Sequence, residues 1–82
     1  MNITVLTPDR EVYSGAITSL KVPGTEGQFQ ILRNHAPIVS SLEKGVVTIK
    51  KQGGEQIILN IGGGFVEVLN NEVNLLVHGV EA

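Results

Sequence analysis

Polar and apolar residues alternate along much of this chain with a period of two. Ile3 and Val5 begin the pattern, Ala16, Thr18, Leu20 and Val22 continue it, and Val73, Leu75 and Val77 close it. That period puts successive side chains on opposite faces of an extended backbone, so these segments predict β-strands with one face toward a core. Residue type agrees, because Val, Ile and Thr suit a pleated, half-buried surface. Turn formers interrupt the pattern at Thr7-Pro8-Asp9, Ser14-Gly15, Pro23-Gly24, Glu43-Lys44-Gly45, Gly53-Gly54, Gly62-Gly63-Gly64 and Asn70-Asn71. No window of ten or more residues escapes them with the 3.6-residue period of a helix.

Gly53-Gly54 and Asn70-Asn71 lie between apolar segments, where two-residue hairpins need the positive φ that Gly and Asn accept most readily. Both pairs are expected at hairpin tips. Pro23-Gly24 suits the central positions of a type II turn, Pro presetting φ at the first and Gly accepting positive φ at the second. The triple glycine before Phe65 lacks a following Lys-Ser/Thr and a helix to hold an anion, so it is not a phosphate loop. It is expected at a tight strand crossing, where missing side chains let backbones approach. Roughly eight to ten short strands in so short a chain predict a sheet folded onto itself, a sandwich or flattened barrel. The fold class is all-β, in one domain over residues 1–82.

Composition narrows the function. A chain of 82 residues hides only about two-thirds of the surface it exposes when unfolded, so its core is thin. Tyr13, Phe29 and Phe65 are its only aromatic residues, which leaves Val, Ile and Leu to fill that core. A rigid body of this kind can hold an interface or transmit force, whereas a catalytic pocket takes volume it can hardly spare. Six basic and eight acidic residues give a formal charge of −2 with no Lys/Arg-rich segment, so nucleic acid is not an expected partner. Without cysteine, disulfides, thiolate nucleophiles and cysteine-ligated zinc are excluded. The apolar runs are too short to cross a bilayer, and the N-terminal residues do not read as a signal peptide.

Few residues suggest chemistry. His35 and His78 stand at no metal-ligand spacing from each other or from a carboxylate. Ser14, Ser19, Ser40 and Ser41 lack the glycines of a nucleophile elbow, and a Glu26–His35 acid-base pair is not signalled. No catalytic residue, metal or cofactor is expected. Lys50 and Lys51 precede the Gly53-Gly54 turn, the place where biotinyl and lipoyl carrier domains present their modified lysine. The Met, Ala or acidic neighbours of such lysines are missing, and charges that discourage edge-to-edge strand pairing are the preferred explanation. A carrier domain modified on Lys50 or Lys51 is the alternative function.

The stretch "VPGTEGQFQILRNHAP" remains. Thr25, Glu26 and Gln28 should project from a polar tip, and Phe29 and Ile31 should then resume a buried face with Gln28 and Gln30 opposite. Pro37 disfavours helix at Ala36 and imposes an extended approach to Ile38 and Val39. "VPGTEGQFQILRNHAPIVSSLEKGVVTI", with "TPDREVYSGAITSLKVPG" before it and "GGGFVEVLNNEVNLLV" after it, resembles the epsilon subunit of F-type ATP synthases, called delta in mitochondria. The likeness covers essentially the whole chain, and the combination of Gly24, Glu26, Gly27, His35, Pro37 and Gly62 to Gly64 is what makes it specific.

That resemblance implies a ten-stranded β-sandwich of two packed, mainly antiparallel sheets. It implies a non-catalytic rotor subunit in the central stalk that links the gamma subunit to the c-subunit ring and couples proton flow to ATP synthesis. Position by position, Thr25, Glu26, Gly27 and Gln28 match a loop that touches the c ring, and His35, Ala36, Pro37 and Ile38 match a strip that faces gamma. Members of the family continue into a C-terminal helical hairpin that inhibits hydrolysis and in some binds ATP. The sequence ends at Ala82, so neither property is expected of these residues. Some relatives carry a second acidic residue where Gln28 stands, so the ring contact here is expected to rely less on charge. The implied location is peripheral, on the cytoplasmic face of a bacterial membrane or on a plastid thylakoid, without membrane insertion.

Overall fold

One strand, Glu11–Gly24, is 14 residues long and explains how so short a chain makes two layers. In a computed structural model, residues 1–81 are described. The strands are β1 (Asn2–Leu6), β2 (Glu11–Gly24), β3 (Gly27–Leu32), β4 (Ile38–Leu42), β5 (Gly45–Lys51), β6 (Gln56–Ile61), β7 (Gly63–Leu69) and β8 (Glu72–His78). The first half of β2 pairs with β1, and its second half pairs with β3 and β5. One layer is therefore β1, β8, β7 and β4 with the start of β2, and the other is the rest of β2 with β3, β5 and β6. At its end β2 touches β4 through Gly24 and Leu42, so the hydrogen-bonded path returns to where it began. Every pairing is antiparallel except β1 with β8.

The all-β expectation and its mainly antiparallel pairing hold, but the described residues form eight strands rather than ten. β2 stays continuous across both layers, running straight through the Ser14-Gly15 turn signal. It does so through a bulge: β5 opposes Ile17 with Lys51 and Ser19 with Lys50, leaving Thr18 unmatched. An unmatched residue bends the strand and shifts its facing by one position. Consequently Ile17, Leu20 and Val22 are buried while Ala16 and Thr18 are exposed, correcting the simple alternation expected there.

Every strand contributes to the core, which consists of Ile, Leu and Val alone: Ile3 and Val5 from β1, Ile31 from β3, Leu42 from β4, and Val73, Leu75 and Val77 from β8 are among them. Phe29 and Tyr13 pack against it only partly buried. Among the described residues no polar or charged side chain is buried.

The two expected hairpin tips differ. Asn70 and Asn71, at φ 50° and 61°, form the two-residue β7–β8 turn, the mirror-image geometry that suits the twist of its strands. The β5–β6 connection is longer, because the Lys51 and Glu55 backbones pair (Lys51 N–H to Glu55 O, 2.8 Å) and Gly54 N–H returns to Lys51 O at 2.9 Å. Only Gly54 there has positive φ, at 98°, and a Cβ would meet nothing at either Gly53 or Gly54. Gly53→Ala should thus raise stability by about 0.4–1 kcal/mol by restricting the unfolded chain. Gly54→Ala should lower it by about 1–2 kcal/mol through left-handed strain alone. Urea titrations of the two variants check the opposite signs.

Candidate interaction site

The polar tip is built by β2 and β3. Pro23 pairs with Gln28 and Gly24 with Gly27, so the turn itself is Thr25-Glu26, two residues beyond the expected Pro23-Gly24 turn. Gly24 is needed for closeness instead of for φ: a Cβ there would lie 2.8 Å from the Gly27 carbonyl oxygen and 2.8 Å from the Phe29 ring. Pro23 stays in the strand because its carbonyl is what the structure uses, accepting the Glu43 N–H at 2.9 Å. Thr25 N–H donates to Ser41 O at 3.1 Å. The tip is therefore strapped to β4, and Thr25, Glu26, Gly27 and Gln28 are all exposed from a held backbone. Phe29 and Ile31 turn inward and Gln28 and Gln30 outward, as the alternation predicts.

The second predicted strip follows β3. His35 N–H donates to Leu32 O at 3.1 Å, closing a turn in which Asn34 has φ 66°. The His35 ring places Nδ1 2.7 Å from the Ala36 carbonyl oxygen. Ala36 and Pro37 are exposed and His35 is half-buried. Ile38 is also half-buried and packs against the core, which anchors the strip. Its neighbour Val39 points outward and is 68% exposed. Sequence reasoning passed over Val39, although two adjacent apolar residues in a strand cannot both face inward. On the same outer surface stand Phe65 and Leu69, 44% and 54% exposed, with Phe65 opposite Ser41 and Glu67 opposite Val39.

Tip and strip are contiguous. Residues 24–29 share a depression with Ile38 and Ser40, and Pro37, Ile38 and Val39 share the next one with Glu67, Val68 and Leu69. The two depressions meet at Ile38, so the polar tip and the strip beside Leu69 form one continuous surface.

The lysines behave differently from carrier lysines. Lys50 lies flat in β5 between Ser19 and Gln56. Lys51 has its Nζ 5.3 Å from the Tyr13 ring centre and 3.9 Å from Glu55 Oε1. Neither occupies the hairpin tip, which is formed by residues 52–55. His78 packs over the triple glycine, its Nδ1 3.2 Å from where a Gly62 Cβ would be, and no three His, Asp or Glu residues gather among the described residues.

The structure is thus a closed β-body with an apolar core, carrying a polar tip beside the 35–38 strip. The whole chain, residues 1–82, matches the family described as "ATP synthase, Delta/Epsilon chain, beta-sandwich domain", and it belongs to that family. It is 46% identical over 81 residues to the ATP synthase epsilon chain of Leptospira borgpetersenii serovar Hardjo-bovis, covering 96% of this chain and 62% of that one. It is 42% identical to the epsilon chain of Thermosynechococcus vestitus, covering 99% of this chain and 58% of the relative. The chain therefore spans about 60% of the length of these curated relatives. Among solved structures, a chain of the Euglena gracilis mitochondrial ATP synthase superposes with a TM-score of 0.89 at 21% identity, over 96% of this chain and 51% of that one. A chain from the Tetrahymena thermophila mitochondrial ATP synthase central stalk and c ring gives 0.85 at 19% identity, over 99% and 65%. At those identities the two structures establish the shared fold.

Proposed function

We propose that this chain acts as a non-catalytic rotor element of an F-type ATP synthase, held in the central stalk between the gamma subunit and the c-subunit ring. The exposed tip of Thr25, Glu26, Gly27 and Gln28 meets the ring, and the strip of His35, Ala36, Pro37 and Ile38, extended by Val39, meets gamma. So placed, the domain is peripheral to the membrane, on the cytoplasmic face in a bacterium or on the thylakoid in a plastid, and helps couple ion flow to ATP synthesis. The observation that carries this proposal is the whole-chain family match, and the distribution of surface chemistry agrees with it. A polar tip strapped to β4 can resist sideways load without contributing much affinity, since an exposed ion pair contributes about 0–1 kcal/mol. Desolvated apolar side chains supply more, roughly 1 kcal/mol or above at hot spots.

The tagged chain incubated with solubilised bacterial membranes should recover gamma and c subunits, and calorimetry of the purified chain should show no heat of ATP binding at micromolar concentration. Micromolar ATP binding with no recovered synthase subunit would overturn the proposal.

A further inference from the structure

The 33–37 stretch is tied to a hairpin distant in sequence by a single amide. Asn71 Oδ1 accepts the backbone N–H of Asn34 at 2.7 Å, and Asn71 Nδ2 donates to Asn34 Oδ1 at 3.2 Å. The two residues stand 37 positions apart and both hold left-handed φ, 66° and 61°. Asn71 is itself anchored twice, as the second residue of the β7–β8 turn and through its carbonyl, which accepts Asn2 N–H at 2.9 Å. Among the described residues, the 33–37 stretch makes one backbone turn bond, His35 N–H to Leu32 O, and Pro37 has no N–H to give.

We infer that Asn34 and Asn71 form a clasp that fixes the 33–37 strip to the β7–β8 hairpin, making Asn71 a positioning residue for partner binding. The amide reads both the backbone and the side chain of Asn34, so it sets the direction in which the chain leaves the turn toward His35, Ala36 and Pro37. It also joins the strip to Leu69, which ends β7 just before the turn and shares a depression with Pro37 and Val39. Without the clasp, the strip keeps its tie to β7 from Ile38 onward through the β4 ladder, but its approach to the hairpin is no longer fixed and the surface they share is assembled only part of the time. A partner that needs both then binds with its Kd raised in proportion to the lost fraction. The partner role rests on the proposed gamma contact, whereas the clasp itself does not.

Asn71→Gly separates these effects. Asn-Gly is among the best two-residue turns and keeps the left-handed backbone, so thermal stability should be unchanged or slightly higher, while the amide is gone. Hydrogen exchange followed by NMR should then show the Asn34 and His35 amides exchanging about tenfold faster, equivalent to about 1.4 kcal/mol, with the core strands unaffected. Asn34→Gly, which keeps the N–H donor and loses only the side-chain oxygen, should give a smaller acceleration. Titration with purified gamma should show Kd raised three- to tenfold for Asn71→Gly. Unchanged exchange at Asn34 overturns the clasp. Faster exchange with unchanged affinity for gamma overturns the positioning role. If the parent chain does not bind gamma at all, faster exchange upholds the clasp and it is the proposed rotor function that fails.

Discussion

Gly64→Ala should lower stability by about 3–5 kcal/mol and the melting temperature by about 15–30 °C, the scale expected for a domain of this size. Two effects combine. A Cβ on Gly64 would stand 2.1 Å from the Leu76 carbonyl oxygen and 2.8 Å from the Val77 Cα, and both obstacles are backbone. They cannot step aside without breaking the ladder that pairs Gly64 with Val77 and Phe65 with Leu76. Overpacking of this sort costs about 1–3 kcal/mol. Gly64 also holds φ 146°, and a side chain there adds strain of about 1–3 kcal/mol. Since small domains have only about 5–15 kcal/mol in total, the variant should be partly unfolded at 37 °C. Gly62→Ala is the control: that residue is exposed, lies outside the positive-φ region, and its Cβ would come no closer than 3.2 Å, to the His78 ring. Thermal circular dichroism of both variants checks the contrast. A Gly64→Ala protein within about 1 kcal/mol of the parent would mean that β7 and β8 do not approach as described.

On the placement proposed above, Ala36→Asp should abolish binding to gamma, at least a hundredfold loss of affinity, while Glu26→Ala should change affinity for the c ring by fivefold at most. The difference comes from desolvation. Ala36 is exposed in the free chain, so the aspartate stays hydrated until the partner covers it; an unpaired charge is then buried, at a cost of several kcal/mol. A hundredfold loss needs only about 2.7 kcal/mol. Glu26 sits at a tip exposed to water, where an ion pair contributes about 0–1 kcal/mol. Ala36 is the better probe than Ile38, because Ile38 packs against the core and a charge there would disturb folding as well as binding. Circular dichroism should show both variants folded like the parent, and surface binding to immobilised gamma and to c-ring preparations reads the rest. Equal losses for the two would mean that the tip and strip do not divide the work in this way.

The features legible in the sequence are those set by local rules. Period-two alternation identifies Ile3, Val5, Leu20, Val22, Val73, Leu75 and Val77, all of them buried. Consecutive asparagines mark a turn that needs two positive φ values. The triple glycine marks a close backbone approach, which is there against Leu76 and Val77, between the paired neighbours β7 and β8 instead of at a crossing. What escapes is decided by partners far along the chain. Thr18 faces out because β5 skips it, and nothing around Thr18 announces that. Pro23-Gly24 looks like a turn taken alone, yet Glu43 and Leu42 recruit it into a strand. Of the candidate site, residue types reveal the polar tip and the extended approach at Pro37. The inward direction of Ile38, the exposure of Val39 and the Asn34–Asn71 contact depend on β7 and on the hairpin beyond it.

The parallel pairing of β1 with β8 brings Asn2 beside Glu72 and Leu6 beside Leu76. During synthesis, β1 must wait with one edge unfilled until β8, 70 positions further along, has left the ribosome. Such distant pairing places refolding roughly in the millisecond-to-second range, and until β8 arrives the waiting edge is open to strands from other nascent chains. The element that seals the body is therefore also the one that sets how long its assembly is vulnerable to aggregation.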